Sequence, residues 1–181
     1  MNKRGIFIMV LGGAVVAFAV PMAVVFGGFV DVSANERHSP QIEWALKTTA
    51  RNSVRRLSKE IKVPDLAGSD EIPLGAQLYD EMCVMCHAAP GKAAGELAEG
   101  LYPKPPELAK IAETRTPGEL FWVTKNGIKM TGMPAWGPSH KDDYLWAMVA
   151  FMQAMPTMTA GKYKLLVENK PGTLGKEHDH E

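Results

Sequence analysis

The chain has 181 residues, 46% of them hydrophobic, and its 20 Lys plus Arg balance 20 Asp plus Glu for a formal net charge of zero. That length suits one compact domain with appendages. It contains no internal repeat, no phosphate-binding loop and no basic and aromatic interleaving suited to nucleic acid.

No charged residue occurs from Gly5 to Val30. At about 1.5 Å per helical residue this run crosses a bilayer with some surplus for tilt. Residues 1–30 therefore read as an N-terminal transmembrane anchor. Lys3 and Arg4 precede the run and Asp31 follows it. The positive-inside rule then puts the amino terminus in the cytoplasm and the rest on the far, periplasmic side of an inner membrane. A cleaved secretory signal with Val32-Ser33-Ala34 as its site is the alternative, but the run exceeds the usual signal core. No cysteine lies near the amino terminus to take a lipid.

Residues 31–66 form a connecting segment with seven basic and five acidic side chains. Ser39-Pro40 reads as an N-cap followed by a first-turn proline. Ile42, Ala45, Leu46, Thr49, Ala50, Val54, Leu57 and Ile61 recur near a helical period. The helix is expected to run to about Ile61, before Val63-Pro64 stops the chain. Its other face carries Lys47, Arg51, Arg55, Arg56 and Lys59. Two readings of it stay open: a helix on anionic lipid or a membrane partner, and a helix packed on the following domain.

Residues 67–158 carry seven basic and eleven acidic side chains. Ser69-Asp70-Glu71 places acids at a helix start, where the dipole favours them. That helix brings Leu74, Gly75, Leu78, Tyr79 and Met82 toward Cys83-Val84-Met85-Cys86-His87, which holds both cysteines of the chain. Two thiols at that spacing reach the two vinyl groups of one porphyrin while the next imidazole reaches the iron, so Cys-x-x-Cys-His implies one covalent haem c. Cys83 and Cys86 are the expected thioethers and His87 the first axial ligand. A redox dithiol would need a strand-rich surround, and a zinc site a second ligand pair; neither is present.

Residues 88–103 are rich in Ala and Gly and are expected to wrap one edge of the haem. Thr116-Pro117-Gly118-Glu119 reads as a capping box with proline at the first helical position. The helix it opens, Leu120 to Lys125, ends at Asn126-Gly127 and brings Phe121 and Trp122 to the haem pocket. Arg115, Lys125 and Asn126 are alternative partners for a propionate. In Thr131-Gly132-Met133-Pro134-Ala135-Trp136-Gly137, Gly and Pro hold a thioether in an extended loop. Met133 is the expected sixth ligand, with Met130 and His140 as rivals among eleven methionines and five histidines. Ser139, with Asp142 three residues on, is expected to open a last helix bearing Tyr144, Leu145, Met148, Val149 and Met152 in one stripe, closed by Pro156.

This order, Cys83 to His87, then the Met133 loop, then a closing aromatic helix, resembles a monohaem class I cytochrome c. The resemblance spans roughly residues 67–158 and implies an all-α fold of short helices around one haem. It also implies that Gly75 and Tyr79 pack where the first and last helices of the domain cross. Tyr102-Pro103-Lys104-Pro105-Pro106-Glu107-Leu108 resembles the family's proline-then-leucine element, whose proline carbonyl accepts from the proximal histidine. Alignment on the leucine assigns Pro106, with Pro105 as the rival.

Residues 159–181 lose periodicity and are expected to form a flexible tail, although His178 and His180 among Glu177, Asp179 and Glu181 could bind a divalent metal. The chain thus reads as an electron carrier rather than an enzyme, held at the membrane by its first helix. It would exchange single electrons with redox proteins, among them a membrane oxidoreductase complex. A haem enzyme or gas sensor with an exchangeable sixth ligand, and an accessory or assembly subunit, are the alternatives.

Overall fold

The structure, a computed structural model, describes residues 2–66 and 71–169. The described residues are helical without a strand, apart from one isolated bridge between Ala89 and Lys92. They divide into two compact units, Met1–Glu36 and Arg37–Glu181.

The first unit is one helix, α1 (Lys3–Gly27). The Asn2 side chain accepts from the Gly5 amide at 2.9 Å, and Gly28 at φ 64° ends the helix where a side chain would be strained. None of its residues is buried. It is long and apolar enough to cross a bilayer, its central stretch reaching a mean hydropathy of 2.5.

The second unit begins with α2 (Pro40–Leu57), which Ser39 caps by accepting from the Ile42 amide. The helix stops four residues short of the expected Ile61. The Ser58 amide closes the last turn on Val54, and Ile61 donates back to the Ser58 carbonyl at 3.1 Å. Ile61 still packs against the core, after a tight turn rather than on the helix. Val54 and Ser58 are buried where α2 meets the helix Pro117–Asn126. The C-terminal half of the connecting helix is thus packed on the domain, and the N-terminal half is exposed.

The remaining elements are α3 (Glu71–Met82), α4 (Val84–His87), α5 (Glu96–Glu99), α6 (Leu108–Ala112), α7 (Pro117–Asn126) and α8 (Asp142–Ala154). A 3-10 turn (Met155–Thr157) and α9 (Ala160–Glu168) follow. The core lies where α3 crosses α8. At that crossing a methyl on Gly75 would sit 1.9 Å from the Ala147 carbonyl oxygen, so the two backbones touch. Tyr79 and Phe151, both fully buried, pack beside it with ring centroids 5.1 Å apart.

Two expectations change here. The last large helix starts at Asp142 rather than Ser139, whose hydroxyl instead bonds the Trp136 carbonyl and the His140 ring. Residues 160–168 of the expected flexible tail form a helix. Thr159 caps it, and Tyr163 is buried against Phe151 with its hydroxyl donating to Asp80 at 2.6 Å. The buried Gln77 amide donates to the Leu166 and Asn169 carbonyls and so holds the other end. His178 and His180 lie outside the described residues.

Candidate haem-binding site

The end of α3 delivers the cysteine motif. Cys83 donates its amide to Tyr79, and the amides of Cys86 and His87 both point back to the Cys83 carbonyl, at 3.0 and 2.9 Å. One turn therefore carries both thiols and the imidazole. Both cysteines are free; Cys83 is buried and Cys86 half-buried. Burial, followed by the neighbouring Cys86, pushes the Cys83 thiol up to about 12. A thiol kept protonated in an apolar setting is poorly suited to attack a disulfide. The turn then closes abruptly, with Ala88 at φ 58° and its carbonyl accepting from the Tyr79 hydroxyl at 2.6 Å.

His87 Nδ1 lies 2.8 Å from the Pro106 carbonyl oxygen. Burial lowers the imidazole's pKa, and the bond to Pro106 opposes the shift without reversing it. A neutral ring with Nδ1 as donor leaves Nε2 with a free lone pair, which is the form a metal ligand must take. Pro105 does not make this contact among the described hydrogen bonds.

The methionine loop is built on the end of α7. Gly127, at φ 65°, brings two strands of chain so close that a methyl there would lie 2.7 Å from the Met133 carbonyl. Ile128 donates to that carbonyl at 3.2 Å, Thr131 bridges Ile128 and the Met133 amide, and the Trp136 and Gly137 amides return to Thr124 and Lys125. Gly132 sits against Leu101, whose side chain a methyl would meet at 2.6 Å. Leu101 and Pro106 belong to the same connector between α5 and α6, so one stretch of chain braces both the imidazole and the loop.

Met133 is half-buried. Its rivals have other settings: Met130 is 97% exposed, and His140 is bonded to Ser139 and set edge-on to Trp136 at 5.4 Å. Trp122 is half-buried, whereas Phe121 turns into the α7 and α8 contact and stacks on Trp146 at 4.0 Å. The three side chains considered for a propionate are each engaged: Arg115 with Glu119, Lys125 with Asp142 at 2.6 Å, and Asn126 with the Trp122 carbonyl.

The donor set fits a covalently attached haem: two free thiols and a neutral imidazole share a turn, and a thioether sits in a braced loop. Sequence reasoning missed Leu101 and the Tyr102 hydroxyl, which accepts from the His38 amide at 3.1 Å. An alanine- and glycine-rich stretch gives no local signal for either contact.

Residues 70–152 match the family model described as cytochrome c oxidase, cbb3-type, subunit III. No curated protein matches the chain. The helical crossing at Gly75, the cysteine turn and this match agree, and within residues 70–152 the chain is a class I monohaem cytochrome c domain, a haem-based carrier of electrons.

Proposed function

We propose that this protein is a membrane-tethered carrier of single electrons with one haem c, held by thioethers from Cys83 and Cys86 and ligated by His87 and Met133. The observation that supports this most is the His87 imidazole fixed by Pro106 at 2.8 Å, one residue beyond the second of two free thiols. The haem iron, when bound, supplies a ferrous and ferric couple. Cys83 and Cys86 hold the ring in place through two bonds. Pro106 fixes the imidazole's tautomer and orientation, and Gly127, Thr131 and Leu101 hold the methionine loop in shape. A soft thioether favours the reduced state, so the midpoint potential is positive. Trp122 contributes apolar lining that limits water.

Helix α1 anchors the chain in the inner membrane, with the carrier domain on the periplasmic side. The excess of eleven acidic over seven basic side chains in residues 67–158 suits redox partners with a basic docking face. The matched family's description names an oxidase subunit, which favours a membrane oxidoreductase complex as one such partner.

Mass spectrometry of the mature polypeptide and optical spectra of its reduced form test the reading. A covalent macrocycle and a low-spin spectrum are expected. An unmodified polypeptide, or a strongly negative midpoint, overturns it.

A further inference from the structure

The first two turns of α2 stand clear of the domain. From Pro40 to Lys47 only Glu43 is half-buried, and the rest are exposed. Ile42, Trp44 and Leu46 are 51%, 69% and 53% exposed. At about 3.6 residues per turn, Ile42 and Leu46 share one flank and Trp44 lies on the other. Apolar surface therefore wraps this tip, rather than forming the single seam that a partner helix would fill.

The cations follow at once. Arg51, Arg55 and Arg56 are exposed in the next turns, and Arg55 alone leans toward the domain, 3.6 Å from Glu119. An indole sits well at headgroup level, and a guanidinium fork matches a phosphate. The tip's place in the chain indicates what it meets. Pro40 follows Gly27, the last residue of α1, by thirteen residues, a reach of at most about 45 Å. At its root, the His38 ring sits edge-on to Tyr102 at 5.3 Å, and its amide donates to the Tyr102 hydroxyl. The tip is thereby fixed to the connector that carries Pro106.

We propose that the N-terminal two turns of α2 dock on an anionic phospholipid surface. Ile42 and Leu46 enter the interfacial layer with Arg56, on the same flank, binding headgroup phosphates, while Trp44 and Arg51, on the opposite flank, meet the headgroup region above them. The contact turns the Leu101 to Pro106 edge of the domain toward the bilayer. It rests on the reading of α1 as an anchor only in that the tether supplies the bilayer.

The test is amide hydrogen exchange of residues 41–47 in the full-length protein. The protein is held in phosphatidylcholine vesicles, in vesicles that also contain phosphatidylglycerol, and in neutral detergent. Exchange is expected to slow by up to about thirtyfold with phosphatidylglycerol, the scale of two cations at a charged surface. The slowing is expected to vanish in the I42S/W44S/L46S variant, whose changes are confined to exposed positions. An R51Q/R56Q variant keeps the apolar tip and is expected to lose the difference between the two lipids. Equal exchange in all three media overturns the proposal, as does equal protection in neutral and anionic vesicles. Protection that is absent from all three media and arises only when the protein is held in native membranes, measured as a fourth medium, also overturns it, in favour of a protein partner. Resistance to alkaline carbonate extraction reports on α1 separately. A resistant protein with an unprotected tip keeps the anchor and loses the docking; an extractable protein whose tip is protected on added anionic vesicles does the reverse.

Discussion

His87 Nδ1 and the Pro106 carbonyl oxygen stand 2.8 Å apart, nineteen residues apart in the chain. Proline has no amide hydrogen to compete for the site and a fixed φ to aim its carbonyl. The contact therefore selects one tautomer and leaves Nε2 as the available nitrogen. Burial independently keeps the ring neutral. The proximal side is prepared by the fold itself, which makes the methionine side the decisive place to test the proposed ligation.

Met133→Ala is expected to lower the midpoint potential by on the order of 0.1 V, within the roughly 0.8 V range that axial ligands span. It is also expected to let carbon monoxide bind the reduced protein at neutral pH. Met130→Ala, at a position 97% exposed, is expected to change neither reading. Potentiometry and reduced spectra under carbon monoxide measure both. If Met130→Ala opens the iron and Met133→Ala does not, the sixth ligand is Met130.

Gly75→Ala is expected to destabilise the fold by about 3 kcal/mol or more, because the new methyl meets the α8 backbone rather than a side chain that can yield. Gly161→Ala adds the same methyl to open space near the start of α9. There it is expected to stabilise by up to about 1 kcal/mol through helix propensity. Denaturant midpoints of the two variants, compared at constant slope, measure the contrast.

Much of the site was legible because its signals are local. Cys83 to His87 is a contiguous motif, the capping box at Thr116 and Glu119 forms as its spacing requires, and Gly75 and Tyr79 meet α8 as the family resemblance implies. Most of the misses share one cause. Helix α9 is held by Tyr163, Gln77 and Asp80, contacts that join residues more than eighty positions apart, and a nine-residue segment has too weak a period to announce itself. Likewise, Lys125 looked available for an anionic ligand because its partner, Asp142, lies seventeen residues on and is identified only once the helices are folded together; Glu119, four residues after Arg115, is by contrast a pairing that the spacing itself offers.

Glu119 joins three features. Its carboxylate accepts from the Thr116 amide to close the capping box, pairs with Arg115 at 3.1 Å, and receives Arg55 from α2 at 3.6 Å, with only 9% of its side chain exposed. Glu119→Ala is expected to cost about 2 kcal/mol, since it opens the cap and leaves Arg115 without its acceptor. Thr116→Ala removes only the cap's other half and is expected to cost about 1 kcal/mol. Thermal unfolding of both variants checks the order. A double variant less damaging than the sum identifies the shared cap.

The phenols of Tyr79 and Tyr163 give the fold an alkaline limit. Both are held above the ordinary tyrosine value of 10.0, by burial first, and for Tyr163 by its bond to Asp80 second. In the unfolded chain they ionise near pH 10. The folded state thus binds their protons more tightly, and this contribution is fully present below pH 10 and is lost as pH rises beyond it. Stability is expected to fall steeply above about pH 10, with tyrosinate absorbance from these two rings appearing together with unfolding rather than before it. Tyr163→Phe keeps the ring against Phe151 and removes the hydroxyl. It is expected to cost about 1 kcal/mol at neutral pH, through the lost contact with Asp80, and to make the alkaline decline shallower. An alkaline slope identical in the parent and Tyr163→Phe proteins would mean that Tyr163 ionises without opening the fold, and that α9 is not sealed over it.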